Sequence, residues 1–174
     1  SINLFSYLPM YIIDQHSNLQ QSVTEKEYRE LVAASVDATL FNDWPWLKLS
    51  CRHSTAGDFC FITCRTQGDN RLIAFMGLAL FQEKLYGLPV IAARFPQYPL
   101  GDRIGMLIHP DHSNVWEDIL AFIFAGKKRA WNIMIWDEWV DSAGLRQRAE
   151  AFAAKHHRGL LIKKSSSCPV VTIE

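Results

Sequence analysis

Residues Leu72–Phe81 read LIAFMGLALF, a run with no charged or strongly polar side chain. A helix that crosses a bilayer needs about 20 apolar residues, so this run is too short to span one. A strand with one wet face alternates apolar and polar residues. A strand that is apolar at every position must be covered on both faces, as in sheets sandwiched between helices. The run therefore predicts a central strand in a single α/β domain, with helices above and below.

The surrounding sequence supplies those elements. Met10–Asp14 is short, apolar and extended, and a polar loop follows it. Thr24-Glu25-Lys26-Glu27 forms a capping box, in which a hydroxyl and a carboxylate satisfy the free amides of a helix start. Tyr28, Leu31, Val32, Ser35 and Val36 then fall on one helical face. Asn42-Asp43 caps a second helix, with Trp44-Pro45-Trp46 in its first turn and its end near His53. Asp58–Thr66 and Arg71–Lys84 make a hairpin around Gln67-Gly68-Asp69-Asn70. Tyr86-Gly87 turns the chain into Leu88–Phe95, which Pro96, Pro99 and Gly101 interrupt, and Arg103–Ile108 resumes extended structure. A helix from Asp111–Ser113 to Gly126 carries Val115, Ile119, Phe122 and Ile123 as its stripe. Trp131–Trp136 is a strand. A helix starting at Asp141 or Ser142 carries Leu145, Ala149, Phe152 and Ala153, and Leu160–Lys164 and Pro169–Ile173 are the last strands. The order is β-α-α-β-β-β-α-β-α-β-β, with no repeat, linker or internal domain boundary across residues 1–174. It is a mixed, mostly antiparallel sheet flanked by helices, with the later helices as right-handed crossovers.

Composition narrows the partners. Eighteen basic residues balance eighteen acidic ones, so no global field favours nucleic acid or an anionic membrane surface. No basic stretch followed by an apolar core marks a signal peptide. The first residue is Ser1, so the natural start can lie elsewhere. Cys51, Cys60, Cys64 and Cys168 are too few for a disulfide framework and read as reduced, buried thiols of a cytoplasmic protein. His109, His112, His156 and His157 do not combine with them at zinc-site spacings, so no metal is expected.

Short segments of the chain resemble one family. Thr39–Leu47 (TLFNDWPWL), Leu72–Leu80, Gly101–Ile108 (GDRIGMLI) and Ser167–Ile173 (SCPVVTI) are similar, in order and spacing, to segments of the CelD-like acetyltransferases. These are GNAT-fold proteins associated with cellulose and exopolysaccharide biosynthesis. In the last segment Val and Thr replace the family's Tyr and Asp. The resemblance covers Thr39 to Glu174. It implies a GNAT-like domain that is the N-terminal half of a two-half protein, whose second half carries the acetyltransferase region. The complete enzyme would use acetyl-CoA or another acyl-CoA and an amine or hydroxyl acceptor on a sugar or related metabolite. Its partner would be a second GNAT-like half or another copy of the chain, which would leave an exposed apolar face around Pro169–Ile173, Trp131, Trp136 and Trp139. A GNAT-shaped binding or scaffold module without acyl transfer is the rival reading, because fold does not establish function. A small stand-alone acetyltransferase with a divergent cofactor loop is a third.

GNAT proteins hold the cofactor diphosphate on backbone amides of a glycine-rich turn at a helix N-terminus. The corresponding stretch here, Ile108-His109-Pro110-Asp111-His112-Ser113-Asn114, has no glycine and contains an aspartate. No cofactor-binding residue is therefore expected in this chain, and none is singled out as catalytic. Asp102-Arg103, behind a Pro/Gly loop, is an acid–base pair suited to a polar substrate or to accepting a proton; alternatively the aspartate caps a turn and the arginine pairs with it. Tyr98 and Trp44 complete the candidate substrate contacts. Indole rings suit the apolar faces of sugars, although core packing is the other use of Trp44, Trp46, Trp116, Trp131, Trp136 and Trp139.

Overall fold

The computed structural model describes residues 11–96, 105–125, 131–136 and 145–162. Its contacts divide the chain into two compact units, Ser1–Trp139 and Val140–Glu174.

Among the described residues, the first unit is built on one six-stranded sheet. Strands β1 (Tyr11–His16), β2 (Asp58–Thr66), β3 (Leu72–Leu85) and β4 (Leu88–Arg94) form an antiparallel meander. The β3–β4 turn places both Tyr86 (φ 49°) and Gly87 (φ 82°) in the left-handed region, the geometry that matches the twist of paired strands. Two short strands complete the sheet. β5 (Leu107–Ile108) pairs antiparallel with β3, and β6 (Ile133–Met134) pairs parallel with β4.

Helices cover both faces. α2 (Glu25–Ala34) and α3 (Trp44–His53) lie on one of them, where Tyr28, Leu31, Trp44 and Leu47 pack with Phe61, Leu72, Phe75 and Leu107. Cys60, Ile62, Cys64, Met76 and Leu78 alternate to the other face and are buried. α4 (Val115–Ala125) lies near them, with Asp118 close enough to act on the Cys64 thiol. Burial pushes the Cys60 and Cys64 thiols up to about 11 and 12, so both stay protonated and inert at neutral pH.

The capping box at Thr24 is present: Thr24 Oγ1 accepts from Glu27 N, and Glu27 Oε2 accepts from Thr24 N. The same glutamate joins α2 to β2, since Arg65 Nη1 donates to Glu27 Oε1 at 2.6 Å. The guanidinium also donates to the carbonyls of Asn70 and Ser22. The Arg65 hydrogen bond is the largest of the effects that hold the Glu27 carboxyl down, from the usual 4.5 to about 2.

Several expectations are corrected. The stretch after β1 is not all loop: Asn18 caps a one-turn helix, α1 (Leu19–Ser22). Thr39 caps a 3-10 turn, η1 (Leu40–Asn42). Val36 lies beyond the end of α2 and is 84% exposed, and Phe122 on α4 is exposed. The helix expected from Asp111 starts as a separate 3-10 turn, η2 (Pro110–His112), before α4. Of the strands expected at Arg103–Ile108 and Trp131–Trp136, only β5 and β6 are paired. Trp131, expected on an exposed face, is buried.

In the second unit, α5 (Leu145–Lys155) buries Ala149, Phe152 and Ala153, and Arg146 pairs with Glu150 on its surface. Leu160–Ile162 was expected to begin a strand and forms none. Pro169–Ile173, Cys168 and Trp139 lie outside the described residues.

Two outcomes follow from this packing. Phe75 sits between Tyr28, edge-on at 5.1 Å, and Phe61, stacked at 6.1 Å. Phe75→Ala lowers unfolding stability by about 3–5 kcal/mol in chemical denaturation. A carboxyl whose folded pKa is depressed stabilises the fold above its unfolded value, and that stability is lost as pH falls through the folded one. Urea midpoints measured from pH 5 to pH 2 fall over the window from 4.5 to about 2, and Arg65→Leu flattens that fall.

Candidate functional site

The long strand β3 shares one edge between two partners. β4 pairs with its far half, ending at Ala79↔Arg94, and β5 pairs with its near half, at Phe75↔Leu107. Between these pairings stands Gly77, which has no strand partner on that edge among the described residues. The chain leaves β4 through Phe95 and Pro96 and re-enters at Gly105. A β-carbon on Gly77 would meet Pro96 Cγ at 3.2 Å and the Phe61 ring at 3.5 Å. Glycine is thus required for the close approach of the Pro96 ring to the sheet.

This break opens a crevice beneath α2 and α3. Tyr28, Asn42, Leu47, Phe75, Gly77 and Leu107 line it, together with Phe95, Pro96 and Gly105. Its volume is about 10 Å³, near the minimum that holds one oxygen-sized group. Tyr28 and Asn42 are its polar side chains, and both are buried. Asn42 Oδ1 already accepts from Thr39 N at 2.8 Å and Thr39 Oγ1 at 3.1 Å. Burial, the largest effect, pushes the Tyr28 hydroxyl well above the usual phenol range, with Cys51 and Asp43 adding to it. Farther along the same sheet face, Arg94 pairs with Glu83 through Nε at 2.7 Å and Nη2 at 3.1 Å. That fork pins β4 to β3 just before the break.

A second concavity lies at the sheet end next to the α4 entry. It is an open cleft of about 630 Å³ lined by Tyr11, Thr66, Gln67, Gly68, Asp111, His112 and Asn114. The Arg71 guanidinium stands 3.3 Å from His112 Nε2, and Tyr11 Oη lies 3.4 Å from Nδ1. A guanidinium only donates. Nε2 is therefore the side of the ring that can accept from Arg71.

The turn into α4 does not fit a diphosphate. The Asp111 amide donates to His109 Nδ1, the His112 amide to His109 O and the Glu117 amide to Asn114 O, so these donors are already used. The Asp111 carboxylate stands in solvent, and Glu117 and Asp118 occupy the first turn of α4. Negative charge at that position opposes an anion.

Of the candidate substrate contacts, Trp44 is buried in the core, with its ring 5.3 Å from Tyr28. Packing is the use this structure gives it; no indole face is left for a sugar. Tyr98, Asp102 and Arg103 lie outside the described residues, in the sequence that separates two lining residues of the crevice, Pro96 and Gly105. Sequence reasoning placed Tyr28 on a packed helix face, where it is buried, and named Asn42-Asp43 as the cap of α3; Asp43 is that cap, and Asn42 instead ends η1. The signal for Asn42 was present as the Thr39-x-x-Asn42 spacing of a helix cap. Among the described residues no His, Cys, Asp and Glu group could hold a metal, and no helix is long and apolar enough to cross a membrane.

No family model and no curated protein matches the sequence. Solved structures do. A GNAT family acetyltransferase of Staphylococcus aureus aligns over 93% of this chain and 99% of its own, at 14% identity and a TM-score of 0.51. The chain has the GNAT acetyltransferase fold. Ribosomal-protein-alanine N-acetyltransferase from Brucella melitensis aligns over 92% of this chain and 99% of its own, at 16% identity and a TM-score of 0.50. An aminoglycoside acetyltransferase from an uncultured soil metagenomic sample, solved with sisomicin, aligns over 94% and 97%, at 10% identity and 0.53. At these identities the likeness is one of fold.

The Gly77 contact has a measurable consequence. Gly77→Val costs about 1–3 kcal/mol in denaturant unfolding, as expected of overpacking. Gly68→Ala, whose β-carbon meets nothing within 4 Å, is close to neutral.

Proposed function

We propose that this chain is the acceptor-binding, non-catalytic half of a CoA-dependent N- or O-acyltransferase acting on a sugar or related metabolite. The observation that carries the proposal is the pairing of a GNAT fold with an α4 entry that has no glycine, carries acidic side chains and already uses the Asp111, His112 and Glu117 amides. In this reading the cofactor is held outside this chain, by a second GNAT-like half. This chain supplies contacts to the acceptor around the β4–β5 break, with Tyr98, Asp102 and Arg103 as candidates from the sequence that separates its lining residues. The complex of one fold neighbour with sisomicin, an aminosugar antibiotic, supports the acceptor class. The resemblance to the CelD-like proteins supports both the two-half arrangement and a place in polysaccharide biosynthesis. Unpaired thiols at Cys51, Cys60 and Cys64 fit a cytoplasmic setting.

The face offered to the second half has a candidate at the β3–β4 hairpin tip. There Leu85, Tyr86 and Leu88 are 42%, 89% and 68% exposed. A group of large apolar side chains left in solvent marks an interaction surface.

A stand-alone acetyltransferase with a divergent cofactor site is the second reading. It is favoured by neighbours that are matched over nearly their whole length. Calorimetric titration of acetyl-CoA into this chain separates the two. The half-enzyme reading gives no micromolar binding; a micromolar Kd assigns the cofactor to this chain and overturns it.

A further inference from the structure

Two imidazoles hold the turn that leads into α4. His109 Nδ1 accepts the Asp111 amide at 3.4 Å and so caps η2. His112 Nε2 accepts from the Arg71 guanidinium at 3.3 Å. A backbone amide and a guanidinium only donate, so each contact needs a lone pair on the ring nitrogen. On the other side of the His112 ring, Nδ1 lies 3.4 Å from Tyr11 Oη, and the two imidazole centroids are 5.7 Å apart. Arg71 stands just before β3 and closes the β2–β3 turn, its amide donating to Thr66 Oγ1 at 2.9 Å. His112 thereby ties η2 both to β1 and to that turn.

Firm anchors bracket this piece of chain. On one side the His109 amide donates to Ile73 O at 2.8 Å. On the other, Val115 and Trp116 are buried at the start of α4. Between them Pro110, Asp111, Ser113 and Asn114 are exposed, and Asp111, His112 and Asn114 border the open cleft. The segment is fixed at both ends, and its middle is tied to the sheet by the His112 ring.

Imidazole is the side chain that changes charge between pH 5 and 8. A protonated His112 offers Arg71 no acceptor and sets two cations 3.3 Å apart, which repel. A protonated His109 releases the Asp111 amide, and the Asp111 carboxylate, 3.6 Å from Nδ1, favours that proton. The other titratable groups around the ring pair are the Tyr11 hydroxyl on β1, Asp69 in the β2–β3 turn, and Glu117 and Asp118 in the first turn of α4. Asp69 is engaged by Thr66 Oγ1 and the Arg71 amide. Among the described residues no carboxylate pairs with His112. We infer that η2 is a pH-sensitive clasp, closed on Arg71 and Tyr11 when His109 and His112 are neutral and opened by their protonation, which lets residues 110–114 leave the sheet and widens the cleft. The contacts are made by neutral acceptors, so they are present at high pH and lost as pH falls. Histidine protonation that releases a two-state segment is a common form of switch. The clasp works in the same way whichever half of the enzyme holds the cofactor.

The test is amide exchange and ring resonances of the isotope-labelled full chain, read by NMR between pH 8 and pH 5. That range lies above the window from 4.5 to about 2 in which the Glu27–Arg65 contact is lost. After correction for the intrinsic effect of pH, the Asp111 and His112 amides exchange about three- to tenfold faster at the acid end, as loss of one hydrogen bond gives. The His109 amide and those of α4 do not change, and the Tyr11 ring resonances move with the His112 ring. His112→Gln keeps an oxygen that accepts from Arg71 and takes no proton, so it holds the Tyr11 resonances steady across the range. Arg71→Met removes the tie at every pH and gives fast exchange at residue 112 throughout. Equal exchange at Asp111 and His112 at both ends overturns the clasp, as does a His112→Gln chain whose Tyr11 resonances respond like those of the natural one. Faster exchange spread evenly over β3 and α4 overturns it too, since that is unfolding of the unit and not release of the segment.

Discussion

Everything in the first unit depends on β3. It is 14 residues long, and its first nine positions are all buried. Such a strand is stable only if helices close both faces, and α2, α3 and α4 do so with Tyr28, Leu31, Trp44, Leu47, Val115, Trp116 and Ile119. One edge of β3 pairs with β2 from Leu72 to Leu80, while the other is shared by β4 and β5. The gap at Gly77 is the price of that sharing, and the crevice is its direct product.

The same strand sets the electrostatics of the site. Its central residues and their neighbours are apolar, so the space around the gap has a low-dielectric setting in which electrostatic interactions are strong. The charged pairs lie farther out. Glu83–Arg94 holds β4 in register just before the break, and Glu27–Arg65 holds α2 to β2. Neither charge pair lines the crevice. The α4 entry has the opposite character. It is wet and acidic, and its Asp111, His112 and Glu117 amides are engaged in local turns.

Much of the fold was legible in the sequence because its signals are local. The apolar run at Leu72–Phe81, the Gln67–Asn70 turn and the Thr24 capping box each carry their own chemistry, and each stands where expected. The one-turn helices α1 and η1 were not legible, since elements of three or four residues carry no periodicity. Val36 and Phe122 follow the helical spacing and are still exposed, because α2 ends before the one and α4 turns the other outward. The site was less legible than the fold. Helical spacing puts Tyr28 on a packed helix face; it cannot show that the residue also lines a crevice with residues about 65–80 positions farther along the chain. Trp44 drew attention as a sugar platform because indole serves both purposes, and burial alone decides between them.

The central claim is that this domain receives an acceptor at the β4–β5 break and leaves the cofactor to another site. Hydrogen exchange read by mass spectrometry, with glucoside and with acetyl-CoA in turn, tests it most directly. The account predicts slower exchange in α2, η1 and the Gly105–Leu107 segment with glucoside, and no change from Pro110 to Glu117 with acetyl-CoA. Protection of the Pro110–Glu117 amides by acetyl-CoA, with none at Tyr28 or Asn42 in glucoside, would contradict it.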